Sequence, residues 1–170
     1  MPVIGLLILP LLVSCTISTP IPAPPIVELS GDTCSIRYGE NQYTATVTHI
    51  LQGVTSITFA EPEGINGIVY TFSGNGCSII FGDLKFGTDR SFMGETALPQ
   101  IICDVMNSMQ GENALAYVQR EEPQSSTLTT AVFTGKTKNH SYKVTTDFDS
   151  GYIKEIEVGD CDLTLTFSNK

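Results

Sequence analysis

The sequence predicts an α+β fold in which antiparallel sheet dominates and one helix interrupts it. Apolar and polar residues alternate with a period of two through most of the chain after Thr33, as in strands that bury one face. A single stretch, Thr96 to Met109, switches to helical spacing. Short turn signals rich in Gly, Asn and Asp join the alternating runs, so sequential strands are expected to pair as hairpins.

Two segments of different character precede the alternating region. Val3 to Val13 (VIGLLILPLLV) is uncharged and apolar, and it is shorter than the about 20 residues that a spanning helix needs. It reads as the core of a signal peptide that is removed on export, although Met1-Pro2-Val3 has none of the basic residues that usually open one. The run ends in Leu12-Val13-Ser14-Cys15, which resembles the bacterial lipobox, a small residue followed by a cysteine that is acylated before cleavage. Residues 1–14 are therefore expected to be lost and Cys15 to carry a diacylglycerol anchor at the outer face of a bacterial plasma membrane. The alternative is an ordinary secretory signal with a chance cysteine. Two acyl chains hold a protein stably where one binds only marginally.

Thr16 to Ile26 (TISTPIPAPPI) contains Pro20, Pro22, Pro24 and Pro25 and no charge. It favours an extended, polyproline-like course of about 3.1 Å per residue, so residues 15–30 read as lipidated N terminus and linker. A disordered tail would have the same sequence character. Residues 31–170 are expected to form one domain, long enough to bury a real core.

The chain has 18 acidic and 9 basic residues, and no charged residue precedes Glu28, so the folded part carries the net charge of −9. Nucleic acid is excluded as an expected partner because the basic footprint it needs is missing. An acidic body is also repelled by anionic headgroups, which leaves membrane contact to the anchor. With Cys15 acylated, Cys34, Cys77, Cys103 and Cys161 remain. They allow two disulfides in any of three pairings, or four buried thiols.

Cys34, Ile36 and Tyr38 alternate with polar neighbours, Gly39-Glu40-Asn41 turns the chain, and Tyr43, Ala45, Val47 and His49 return it. Val54 to Phe59 follows, then a break at Glu61-Pro62-Glu63-Gly64. Ile68, Tyr70 and Phe72 come next, and Ser73-Gly74-Asn75-Gly76 closes a hairpin into Cys77, Ile79 and Phe81. A short segment around Leu84 and Phe86 continues the meander. In the helical stretch the apolar set is Ala97, Leu98, Ile101, Ile102, Val105, Met106 and Met109, with Thr96 as expected N-cap, Pro99 in the first turn and Gly111 as stop. Asn113 to Gln119 is ambiguous and Arg120 to Ser126 reads as loop. Strand patterning resumes at Leu128–Phe133, Tyr142–Phe148, Tyr152–Val158 and Cys161–Phe167, with Asp149-Ser150-Gly151 and Gly159-Asp160 as hairpin turns, the second of type II′.

About nine or ten antiparallel strands thus accompany one helix. The helix is too short to cover so wide an apolar face, which must be closed by curling of the sheet, by loops or by a ligand. A hydrophobic ligand between sheet and helix would meet Phe59, Ile68, Tyr70, Phe72, Ile79 and Phe81 from the strands. From the helix it would meet Leu98, Ile101, Ile102, Val105 and Met106. The alternative is a sheet that fills itself and serves as a protein-interaction or scaffold module at the cell surface.

Phe59-Ala60-Glu61-Pro62 followed by Gly67, a helix inserted within the run of strands and a final pair of hairpins from Tyr142 to Phe167 resemble small lipoproteins of Gram-positive bacteria, clostridial ones especially. These in turn look like the LolA-like lipoprotein carriers and the mycobacterial LppX and LprG lipoproteins. The resemblance runs from roughly Cys34 to Phe167. It implies an unclosed β-barrel whose concave apolar face is lidded by helix and accepts acyl chains.

Catalytic signatures are missing. There is no Gly-x-Ser-x-Gly elbow, phosphate loop or dinucleotide fingerprint. His49 and His140 have no cysteine or carboxylate at metal-ligand spacing and read as structural or exposed. Asp147-Phe148-Asp149-Ser150-Gly151 begins like a calcium loop but lacks the later ligands, so a turn explains it. Glu61 and Glu63 flank Pro62 as solvated carboxylates. Neither enzymatic activity, a cofactor nor a metal is expected.

Overall fold

The computed structural model describes residues 20–111, 114–121 and 129–168. The expected signal peptide, residues 1–14, and Cys15 lie outside the described residues.

Among the described residues, eleven strands form one antiparallel sheet. β1 (Leu29–Tyr38), β2 (Asn41–Ile50), β3 (Val54–Glu61), β4 (Val69–Ser73), β5 (Gly76–Phe81) and β6 (Leu84–Asp89) step outward as a meander. Helix α1 (Leu98–Ser108) follows. β7 (Ala116–Glu121), β8 (Thr130–Lys136), β9 (Ser141–Asp147), β10 (Ile153–Val158) and β11 (Leu163–Phe167) then step back until β11 pairs with β1. The order is β6-β5-β4-β3-β2-β1-β11-β10-β9-β8-β7, open at β6 and β7.

The sheet curls because one helix touches both of its halves. α1 packs against β3 and against β8, which stand six strand spacings apart in the sheet order. Flat, that separation would be about 29 Å at about 4.8 Å per strand, against a helix roughly 10–12 Å across. Extra residues at Gly31, Ala60, Val118 and Lys154 shift the pairing register and sharpen the local twist.

Eleven strands corrects the expected nine or ten, and the added strand is β7, in the stretch whose pattern was ambiguous. β7 is exposed along nearly its whole length and is held by backbone pairing to β8. A strand that buries neither face leaves no alternation to read.

Two boundaries also differ from expectation. α1 starts one residue late, with Ala97 in the cap position and no side-chain cap, because the Thr96 carbonyl accepts a 2.9 Å hydrogen bond from the Tyr38 hydroxyl. The β10–β11 connection is a 3-10 turn, Gly159–Cys161, rather than a type II′ turn, so β11 begins at Leu163. Asp162 adopts a left-handed φ of 49° there, fixed by its 2.8 Å ion pair with Arg37 and by its carbonyl, which accepts from the Gly39 amide at 3.0 Å. The described part of the Pro-rich segment has no helix or strand before Leu29. It lies along the domain, where the Ala23 amide donates to the Phe148 carbonyl and the Ile26 amide to the Gly151 carbonyl, each at 2.9 Å.

The convex face carries Thr44, Thr46, Thr58, Thr71, Lys143, Glu157 and Thr164, as the alternation requires. The concave face and α1 form one apolar core. Burial of α1 extends beyond a single stripe to Pro99, Gln100 and Cys103, since the curled sheet reaches around it. Cys34, Cys77 and Cys103 are buried free thiols and Cys161 is a partly buried one, the thiol alternative left open by the sequence. Burial, with a lesser push from Asp32, raises the Cys34 thiol to about 12.

Candidate functional site

The residues expected to meet a ligand divide by their distance from the helix. Phe59, Phe72, Leu98, Ile101, Ile102, Val105 and Met106 pack together in the core. Tyr70 and Ile79 lean on that core, half-buried, and Phe59 meets the Tyr70 ring edge to face at 6.1 Å. Ile68 is half-buried, and Phe81 stands 48% exposed.

Exposure rises toward the β6 edge, away from β3 and β8, the strands against which α1 packs. Cross-strand partners share a face: Ile79 pairs with Phe86 and Phe81 with Leu84, so all four lie on the concave side. Leu84 and Phe86 are 58% and 59% exposed. Arg90 closes the boundary between covered and open surface, its guanidinium 5.5 Å over the Phe72 ring and 2.5 Å from the Asp104 carboxylate of α1.

An apolar concavity that was not foreseen from the sequence lies at the other end of the helix. It is a groove of about 670 Å³. One wall is the N-terminal segment from Ile21 to Glu28; the other is Ala114, Leu115 and Tyr117 at the start of β7, with Leu51 of the β2–β3 turn at the lip. Met109 and Phe133 form its floor, and both belong to the core that holds Val105 and Met106. Glu28 and Gln110 are its polar side chains. Tyr117 meets Phe133 edge to face with ring centres 5.6 Å apart.

Hydrogen bonds fix the end of α1 beside the groove. The Gln110 amide nitrogen donates to the Ile50 carbonyl at 3.3 Å and lies 2.5 Å from Nε2 of His49. With that donor at Nε2, the proton of the neutral ring sits on Nδ1 and faces the Thr55 hydroxyl at 2.8 Å. His49 is fully buried and its pKa is lowered by burial. It is the structural histidine expected from its place in a strand, and it ties the end of α1 to β2 and β3.

The opposite wall depends on Gly151. Its φ is +76°, and a Cβ there would collide with the carbonyl oxygen of Pro24. Only glycine combines the left-handed turn with so close a backbone approach. No local pattern in the Pro-rich segment announces this docking, because its partners are the Phe148 and Gly151 carbonyls more than a hundred residues away.

Neither a protein-family profile nor a curated protein sequence matches the chain. Solved structures similar to it include an uncharacterized conserved protein from Thermus thermophilus, with 9% identity and a TM-score of 0.48 over 82% of this chain and 77% of that one. A LolA superfamily protein from Nitrosomonas europaea has 9% identity and a TM-score of 0.41 over 84% and 73% of the two chains. The lipoprotein LppX of Mycobacterium tuberculosis has 12% identity and a TM-score of 0.38 over 82% and 85%. The LolA-like group and LppX, to which the sequence is read as similar, are thus among its structural neighbours.

Proposed function

We propose that this protein is a non-catalytic lipoprotein, anchored through Cys15 at the outer face of a bacterial plasma membrane, that binds an acyl chain or glycolipid. The observation that carries the reading is the apolar groove of about 670 Å³, within the roughly 300–1,000 Å³ range of small-molecule sites. In this reading the ligand lies beneath the C-terminal end of α1, and the packed concave residues, Val105 and Met106 among them, back its floor.

Chain connectivity supports a membrane-side entrance. Ile21, in the groove wall, follows Cys15 by six residues, which span at most about 20 Å when extended. The groove therefore stays within reach of the bilayer to which Cys15 is joined. Glu28, beside an otherwise apolar lining, favours a neutral or cationic head over an anionic one.

Native mass spectrometry and organic extraction of the full chain carrying Cys15→Ser test the ligand. Copurified lipid at about one molecule per chain is the expected result, and its absence together with no binding of acyl-chain probes removes the reading. Fractionation of cells tests the anchor separately. Cys15→Ser should release the protein or leave it unprocessed, and a processed mutant that stays with the membrane contradicts lipidation.

A second reading, an interaction module at the cell surface, is favoured by the open β6 edge with exposed Phe81, Leu84 and Phe86. Phe81→Ser with Phe86→Ser should then abolish partner capture while leaving acyl-chain binding intact.

A further inference from the structure

The antiparallel course of the last four strands brings two turns to one end of the sheet. The β8–β9 turn and the β10–β11 turn both lie at the end remote from the groove, since the β9–β10 turn between them takes the opposite end. His140 sits in the first turn, and Asp160 and Cys161 sit in the second.

Three donors of different chemistry meet there. His140 Nδ1 is 3.2 Å from Asp160 Oδ2, and the ligating atoms of His140, Asp160 and Cys161 all lie within 4.8 Å of one another. We propose that these three side chains form a divalent-metal site of the zinc class, which clips the β8–β9 turn to the β10–β11 turn.

Geometry fits a tetrahedral ion after a small closure. Donors at roughly 2.0–2.3 Å from zinc stand roughly 3.3–3.6 Å apart. The nitrogen–oxygen pair is already at 3.2 Å, and the sulfur must move inward by about an ångström from the 4.8 Å limit at most. The Cys161 thiol now points at the Val158 carbonyl at 3.6 Å, a weak bond that a metal would replace. On binding, the sulfur–metal bond forms as the thiol proton passes to solvent.

Both turns hold their donors in place. The His140 amide donates to the Thr137 hydroxyl at 2.8 Å and the Thr137 amide donates to the His140 carbonyl at 2.8 Å, so the backbone carrying the imidazole is fixed. The imidazole is 14% exposed and the Asp160 carboxylate 47% exposed, which leaves an approach from solvent and a fourth coordination place for water. Asp162, the adjacent acid, is engaged by Arg37. A thiolate and an imidazole select a borderline ion such as Zn²⁺ over Mg²⁺ or Ca²⁺, which take oxygen donors.

Co²⁺ and Zn²⁺, each as the metal alone, are the probes, applied to the full chain with Cys15→Ser and a phosphine reductant. One equivalent of Co²⁺ should produce sulfur-to-metal charge-transfer absorption that Zn²⁺ then bleaches. His140→Gln and Asp160→Asn should each weaken apparent affinity at least about tenfold, and Cys161→Ser should abolish the charge-transfer band. Zn²⁺ should raise the melting temperature of the parent protein and not that of Cys161→Ser. If Cys161→Ser fails to fold, His140→Gln, in the turn, still decides the matter. No charge-transfer band at saturating Co²⁺, or a band that survives His140→Gln at unchanged affinity, overturns the proposal and leaves an ordinary His140–Asp160 hydrogen bond.

Discussion

The Ile26 amide donates to the Gly151 carbonyl at 2.9 Å, which fastens the segment just after the expected anchor to a turn near the end of the chain. With the neighbouring bond from Ala23 to Phe148, it makes a groove wall out of residues that would otherwise form a free tether. Gly151→Val places a branched side chain against the Pro24 carbonyl at a φ of +76°. A cost of about 1–3 kcal/mol is expected, with new protease cleavage between residues 20 and 28. Unchanged cleavage and stability would mean that the segment is not docked in solution.

Met106 and Phe81 both belong to the concave set and should respond oppositely to truncation. Met106 is fully buried among core residues, so Met106→Ala should cost about 2–5 kcal/mol. Phe81 is 48% exposed near the β6 edge, so Phe81→Ser should change stability by less than about 1 kcal/mol. Urea unfolding of the two variants checks the contrast. Equal losses would place Phe81 under a cover.

His49 gives stability a definite pH dependence. Burial lowers its pKa in the folded state below the ordinary 6.5, so the unfolded chain takes up a proton there more readily than the folded one. This contribution is intact above about pH 6.5 and is lost as pH falls from there through the folded value. The urea midpoint of the parent should fall between pH 7 and 5 more steeply than that of His49→Gln. Parallel curves for the two proteins would contradict the assignment.

The thiols should react in order of exposure. Cys34 is fully buried with its pKa raised to about 12, so a thiol reagent at pH 8 should leave it unmodified in the native protein. Cys161, the partly exposed thiol of the four, should be modified first. Peptide mapping after a short pulse of iodoacetamide distinguishes this from uniform labelling, which would indicate global opening.

What could be read in the sequence followed from local periodicity. Cys34, Ile36, Ala45, Val47 and Ile57 alternate toward the core as expected, and the Ile101, Ile102, Val105 and Met106 spacing marked the helix. β7 escaped because an edge strand exposed on both faces carries no apolar rhythm. The groove escaped because its wall is a Pro-rich segment whose polar partners are backbone atoms of a distant turn. His140 seemed isolated because Asp160 and Cys161 reach it through strand order rather than chain spacing. The expected helix–sheet lining is built from real neighbours, yet most of them face one another, and the apolar opening lies where α1 ends.

Equilibrium binding of a fluorescent fatty acid to the full chain with Cys15→Ser, compared with the same protein carrying Leu51→Glu and Tyr117→Glu, bears most directly on the groove. Both substituted side chains are exposed at its lip, 63% and 46% respectively, so the fold should survive. Saturable one-to-one binding that weakens at least about tenfold in the double variant is the expected result. No saturable binding by the parent, or equal affinity in both proteins, would contradict a lipid site in the groove.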